Sequence, residues 1–125
     1  MNKKILIADD YNYERKFLQE MCKRVVPLYE LEIYKSSEEL EKRFGLGFEG
    51  VSLVILDQTM TPGKKGLELI RQYSGEAKEK GCKMILNTGD DELKEKAKRA
   101  GAFDCIIKPV FPNQLEKIIS NALNS

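Results

Sequence analysis

Leu53-Val54-Ile55-Leu56-Asp57 sets four consecutive aliphatic residues in front of a carboxylate. Four apolar side chains in a row suit a strand buried on both faces, as in the middle of a parallel sheet. Working outward, similar short runs occur at Lys4-Ile5-Leu6-Ile7-Ala8, Leu31-Glu32-Ile33-Tyr34, Met84-Ile85-Leu86 and Cys105-Ile106-Ile107. Longer segments of helical period lie between and after them. Phe17, Leu18, Met21, Cys22 and Val25 mark the first helix. Ser36 followed by Glu39 is a capping-box pattern that opens the second. Leu67, Leu69 and Ile70 begin the third, with Ser74-Gly75 an expected weak point. Asp90, Asp91 and Glu92 place negative charge where the dipole of a fourth helix favours it. Leu115, Ile118, Ile119, Ala122 and Leu123 form the stripe of the last. Strict strand–helix alternation predicts an α/β fold, a doubly wound five-stranded parallel sheet with five flanking helices.

The bulk properties agree. A chain of 125 residues suits one compact domain, and residues 1–125 read as a single unit without repeat, linker or low-complexity segment. Hydrophobic residues at 42% and charged residues at 33% describe a globular protein. A formal net charge of +1 provides no long-range field for nucleic acid. No apolar run approaches the roughly 20 residues that span a bilayer. Asp9-Asp10 interrupts the N-terminal apolar stretch too soon for a secretory signal, so a cytoplasmic protein is expected. Cys22, Cys82 and Cys105 sit among apolar residues and read as buried thiols. There is no CxxC and no histidine, which removes a zinc site and every Ser-His or Cys-His nucleophile pair.

Ligands of an open α/β sheet bind beyond the carboxyl ends of its strands. Those ends carry Asp9-Asp10, Asp57, Asn87-Thr88-Gly89 and Lys108-Pro109. Taken singly, each is an ordinary strand end, turn or cap. Together they bring three carboxylates, a hydroxyl and an ammonium group to one edge. Crowded carboxylates raise one another's pKa unless a cation neutralises them. An all-oxygen site with few protein ligands suits Mg²⁺. A carboxylate beside such an ion can attack a phosphoryl group, whose oxygens then need a lysine and hydrogen-bond donors. Lys108 and Thr88 are the candidates for those two roles.

At this point the sequence resembles the response-regulator receiver family, from Lys4 to Leu123. The matching pieces are ILIADD (5–10), LVILDQTM (53–60), Asn87-Thr88-Gly89, AGAFD (100–104) and IIKP (106–109). The resemblance implies the flavodoxin-like strand order 2-1-3-4-5. It implies Asp57 as phosphoacceptor, with Mg²⁺ held by Asp10, by Asp9 nearby, by Asp57 and by the backbone carbonyl of Thr59. Thr88 and Lys108 would contact the phosphoryl group, and the Lys108–Pro109 bond would be cis. The chain has no histidine, so a phosphohistidine donor must be a partner, either a sensor histidine kinase or a histidine phosphotransfer protein.

Three places depart from the family pattern. Thr61 intervenes between Met60 and Pro62, so the loop after Asp57 reads one residue longer. Lys65 stands where the family tends to cap the third helix with Asp or Asn. Cys105 replaces an aromatic residue whose rotamer the family couples to the threonine, which predicts a weakened coupling. Phe103 is expected on the opposite side of that strand. Phe111 precedes Pro112 and cannot cap a helix. Its ring is expected to pack locally, with a partner contact as the alternative.

The leading expectation is a stand-alone, monomeric phosphoacceptor signalling protein of a two-component system or phosphorelay. It would have no effector domain and would be no enzyme beyond its own phosphorylation and dephosphorylation. Its output would be a change in the fourth helix, fifth strand and fifth helix, read by another protein. The basic run Lys94, Lys96, Lys98 and Arg99 reads as a solvated helix face. Two alternatives are a receiver-fold interaction module that works without phosphorylation and a Mg²⁺-dependent phosphohydrolase. The hydrolase is disfavoured by Thr59, where such enzymes often need a second acid.

Overall fold

A computed structural model describes residues 3–124. The elements are β1 (Lys4–Ala8), α1 (Asn12–Val25), β2 (Glu30–Tyr34), α2 (Ser37–Phe44), β3 (Val51–Asp57), α3 (Gly66–Glu79), β4 (Lys83–Thr88), α4 (Leu93–Ala100), β5 (Asp104–Ile107) and α5 (Pro112–Leu123). The strands are parallel in the order β2-β1-β3-β4-β5, as the alternation and the family resemblance predicted.

Strand alternation sends side chains to two separate layers. Ile5, Ile7, Ile55, Ile85 and Ile106 face α1 and α5, where Leu18, Met21, Leu115 and Ile119 cover them. Leu6, Val54, Leu56, Met84 and Leu86 face α2, α3 and α4, where Leu40, Phe44, Leu69, Ile70 and Ala97 cover them. All three cysteines are buried thiols. Lys94, Lys96, Lys98 and Arg99 are exposed, as a solvated face requires.

Charges at the amino end of the sheet are met locally. Lys4 Nζ lies 3.3 Å from Glu32 and 3.9 Å from Glu30. Lys83 Nζ donates to the Ala122 carbonyl at 2.9 Å, which ties the start of β4 to the end of α5.

Several local expectations need correction. Helix α3 runs through Ser74-Gly75 without a break. Ser74 Oγ donates to the Ala100 carbonyl at 2.9 Å, so the hydroxyl is engaged by α4 and does not compete for its own helix backbone. Only half of the capping box at α2 forms. Ser36 Oγ accepts from Glu39 N at 3.1 Å, but Glu39 Oε1 turns to Lys35 N at 3.5 Å. Phe103 does pack against the α1–α5 layer while Cys105 joins the other. Alternation is not the reason, because residues two apart on a strand share a face. Phe103 precedes β5, and its backbone N–H is held by the Met84 carbonyl at 2.8 Å. Phe111 does not pack locally; it is 70% exposed. It occupies the N-cap position of α5, outside the stripe of Leu115, Ile119 and Ala122 that faces the core.

Candidate functional site

The strands deliver their terminal residues to one edge. Asp9 and Asp10 follow β1, Asp57 ends β3, Thr88 ends β4 and Lys108 follows β5. Carboxylate oxygens of Asp9, Asp10 and Asp57 all lie within 4.8 Å of one another. Lys108 Nζ donates to Asp57 Oδ1 at 2.8 Å. Asp9 is fully buried and Asp57 nearly so, while Asp10 is exposed.

Burial sets the electrostatics. It pushes Asp9 up to about 8, helped by a hydrogen bond with Glu14 and the charge of Asp57. It also raises Asp57, against the pull of the Lys108 ammonium. Burial works to lower Lys108, but the bonds to Asp57 and Glu14 outweigh it and hold the ammonium above its ordinary value. Asp9 Oδ1 accepts from Tyr11 N at 2.9 Å, whereas Asp9 Oδ2 is buried with no hydrogen-bond partner among the described residues. A buried carboxylate oxygen without a donor, beside two further carboxylates, fits a hard cation that prefers oxygen ligands.

Thr88 is buried, and its Oγ1 accepts from Asp90 N at 3.1 Å. Its carbonyl accepts from Lys108 N at 2.9 Å, tying the ends of β4 and β5 together. Thr59 is exposed in the loop after β3. The contacts therefore join Asp9, Asp10, Asp57 and Lys108, while Thr88 and Thr59 stand on adjacent segments of the same edge. The Lys108–Pro109 bond is cis as expected, and Thr61–Pro62 is cis as well.

Reading the sequence missed three contributors. Glu14, in the first turn of α1, accepts from Lys108 Nζ at 2.6 Å. Arg15 is buried and donates to the Asp9 carbonyl at 2.9 Å. Gln58 supplies the cap that Lys65 does not: Leu67 N donates to its Oε1 at 2.8 Å and Gly66 N to its carbonyl at 2.9 Å. The signal for Glu14 was an acid one turn beyond an aspartate pair. The signal for Gln58 was an amide beside Asp57 in a loop whose helix start lacks its own cap.

The loop after β3 docks on the start of α2. Ser37 N and Glu38 N, two of the donors that a helix leaves open, bond to the carbonyls of Met60 and Pro62 at 3.1 and 3.0 Å. Ser37 Oγ donates to the Lys64 carbonyl. Gly63 has φ +121°, and a Cβ there would meet Glu38 N and Ser37 Cβ, so the loop needs glycine at this position. Gly66 lets α3 begin against the Asp57 carbonyl, which a Cβ would overlap.

Residues 5–120 match the sequence model of the response regulator receiver domain. The chain belongs to this family. The receiver is 31% identical over 121 residues to the cyclic di-GMP phosphodiesterase response regulator RpfG of Xanthomonas campestris pv. campestris (strain 8004). That match covers 95% of the receiver but only 31% of RpfG. Among solved structures, the response regulator TrrA from Thermotoga maritima, in complex with Mg²⁺-BeF, is 30% identical over 97% of the receiver and 99% of that chain, with a TM-score of 0.79. A response regulator receiver domain protein from Clostridium thermocellum is 27% identical over 98% and 94%, with a TM-score of 0.82. The receiver is thus a signalling module of the two-component type, with the acidic pocket typical of a phosphoacceptor. No helix among the described residues is long and apolar enough to cross a membrane.

Proposed function

We propose that the receiver takes a phosphoryl group onto Asp57 from a phosphohistidine on a partner, a sensor histidine kinase or a histidine phosphotransfer protein. One observation carries this reading: the Asp57 carboxylate lies within 4.8 Å of two other carboxylates while hydrogen-bonded to Lys108 at 2.8 Å. A purely structural ion pair has no use for the two extra acids.

An Asp57 carboxylate oxygen attacks phosphorus. The P–O bond forms as the P–N bond breaks, and the electron pair stays on the leaving imidazole nitrogen. Asp9, Asp10, Asp57 and the backbone carbonyl of Thr59 would hold Mg²⁺, which when bound supplies positive charge opposite the phosphoryl oxygens. Lys108 already sits at hydrogen-bond distance from the attacking group and follows the charge as it moves onto the phosphoryl oxygens. Thr88 Oγ1 accepts from Asp90 N, which leaves its own hydrogen to donate to a phosphoryl oxygen. Pulling Thr88 toward the phosphoryl group changes its hold on the turn before α4. That turn joins the modified site to α4, β5 and α5, the surface a target protein would read as a population shift. Turnover of an external substrate is no part of this role.

Incubation with Mg²⁺ and acetyl phosphate, followed by intact-mass measurement, tests the proposal. A labile adduct on the wild type that is absent from Asp57→Asn is expected. No adduct on the wild type would favour an interaction module that works without phosphorylation. An adduct that survives Asp57→Asn would move the acceptor to another acid.

A further inference from the structure

Glu14 brings a fourth carboxylate to the site, from the first turn of α1. Its Oε2 accepts from Lys108 Nζ at 2.6 Å, while Asp57 Oδ1 accepts from the same nitrogen at 2.8 Å. One ammonium is thus divided between two anions. All three side chains are largely withdrawn from water, at 31% exposed for Glu14, 26% for Lys108 and 10% for Asp57. A cavity of about 180 Å³ adjoins Glu14 and Lys108, lined also by Phe17, Leu18, Asn87 and Pro109.

We propose that Glu14 is a positioning residue that biases the site toward the divalent cation and against the phosphoryl adduct. The inference rests on Asp57 being the phosphoacceptor. Asp9, Asp10, Asp57 and Glu14 set four potential negative charges against the single positive charge of Lys108. Every carboxylate in that group attracts a divalent cation, and Glu14 is no exception. The phosphoryl group has the opposite relation to it. Forming the acyl phosphate replaces a monoanionic carboxylate by a dianionic phosphoryl group. Glu14 repels that added charge and also competes with it for Lys108. Its two effects therefore have opposite signs, which distinguishes it from a residue that merely shapes the pocket.

Glu14→Gln keeps the shape and removes the charge. Two equilibrium titrations by calorimetry read the result: Mg²⁺ alone, and beryllofluoride at saturating Mg²⁺ as a tetrahedral stand-in for the phosphoryl group. The Mg²⁺ dissociation constant should rise by about tenfold, the low end for a residue beside metal ligands. Beryllofluoride should bind several-fold more tightly. Glu14→Asp keeps the charge but shortens the reach, so its Mg²⁺ affinity should stay closer to wild type than that of Glu14→Gln. Both affinities moving in the same direction, or neither moving, would overturn the inference. If the wild type binds Mg²⁺ and beryllofluoride, and Asp57→Asn loses the latter, the phosphoacceptor reading stands whatever Glu14→Gln does. If the wild type binds neither, that reading fails and takes this one with it.

Discussion

At the amino end of the sheet, Lys4 faces Glu32 at 3.3 Å and Glu30 at 3.9 Å, with its side chain 32% exposed. At the carboxyl end, Asp9 is fully buried, Asp57 nearly so, and the oxygens Asp9 Oδ2 and Asn87 Oδ1 are buried without a donor among the described residues. The first arrangement is a set of near-neutral pairs in contact with water, which contribute little to stability. The second is an excess of one sign held away from water, which opposes folding until something positive arrives. The same five strands carry both ends. The difference teaches that the fold tolerates a poorly compensated end because the middle of the sheet is packed well enough to offset it.

The predictions test that contrast in descending order of size. Ile55 is fully buried at the centre of the sheet, and Ile55→Ala should cost about 4 kcal/mol in urea unfolding. A much smaller loss would mean that the core does not offset the charged end. Next comes pH. With Asp9 raised from 3.8 to about 8, the native state keeps a proton that the unfolded chain has lost. Metal-free stability should therefore be greatest near pH 4 and fall as pH rises toward 8, by up to about 1.4 kcal/mol per pH unit. The upward shift of Asp57 adds in the same direction. Unfolding in a chelator at pH 5 and pH 8 measures this, and Asp9→Asn should flatten the profile. Equal wild-type stability at the two pH values would count against it. Gln58→Ala removes the acceptor that caps α3 and should cost about 1 kcal/mol, read by thermal or urea unfolding. Smallest of all, Lys4→Ala at the amino end should cost no more than about 0.5 kcal/mol and leave the acetyl phosphate adduct unchanged by intact mass.

The strands and the acids were legible because both signals are local. An aliphatic run such as Leu53–Leu56 announces a buried strand, and the residue after it must emerge at the carboxyl edge. Glu14 was not legible in the same way. An acid in the first turn of a helix is favoured by the helix dipole whatever else it does. Its decisive contact is with Lys108, far along the chain. Ser74 was misread for a related reason, since Ser-Gly weakens an isolated helix while a carbonyl of α4 stabilises this one. Lys65 correctly warned that α3 lacks a cap of its own. Only the folded loop shows Gln58 supplying it from nine positions upstream. Phe111 shows the opposite failure: an apolar residue suggests packing, but at the N-cap of α5 it has no core to enter.

Gln58 also acts as a rivet. Its N–H is held by the Asn87 carbonyl at 3.0 Å, its carbonyl receives Gly66 N and its side chain receives Leu67 N. The loop of residues 59–65 leaves from this rivet and returns to it, so its length is uncoupled from where α3 begins. That makes the loop a natural graft point. A change of length there would be taken up by the contacts that Met60, Pro62 and Lys64 make with the start of α2, while the Asp57 strand and the α3 axis kept their places.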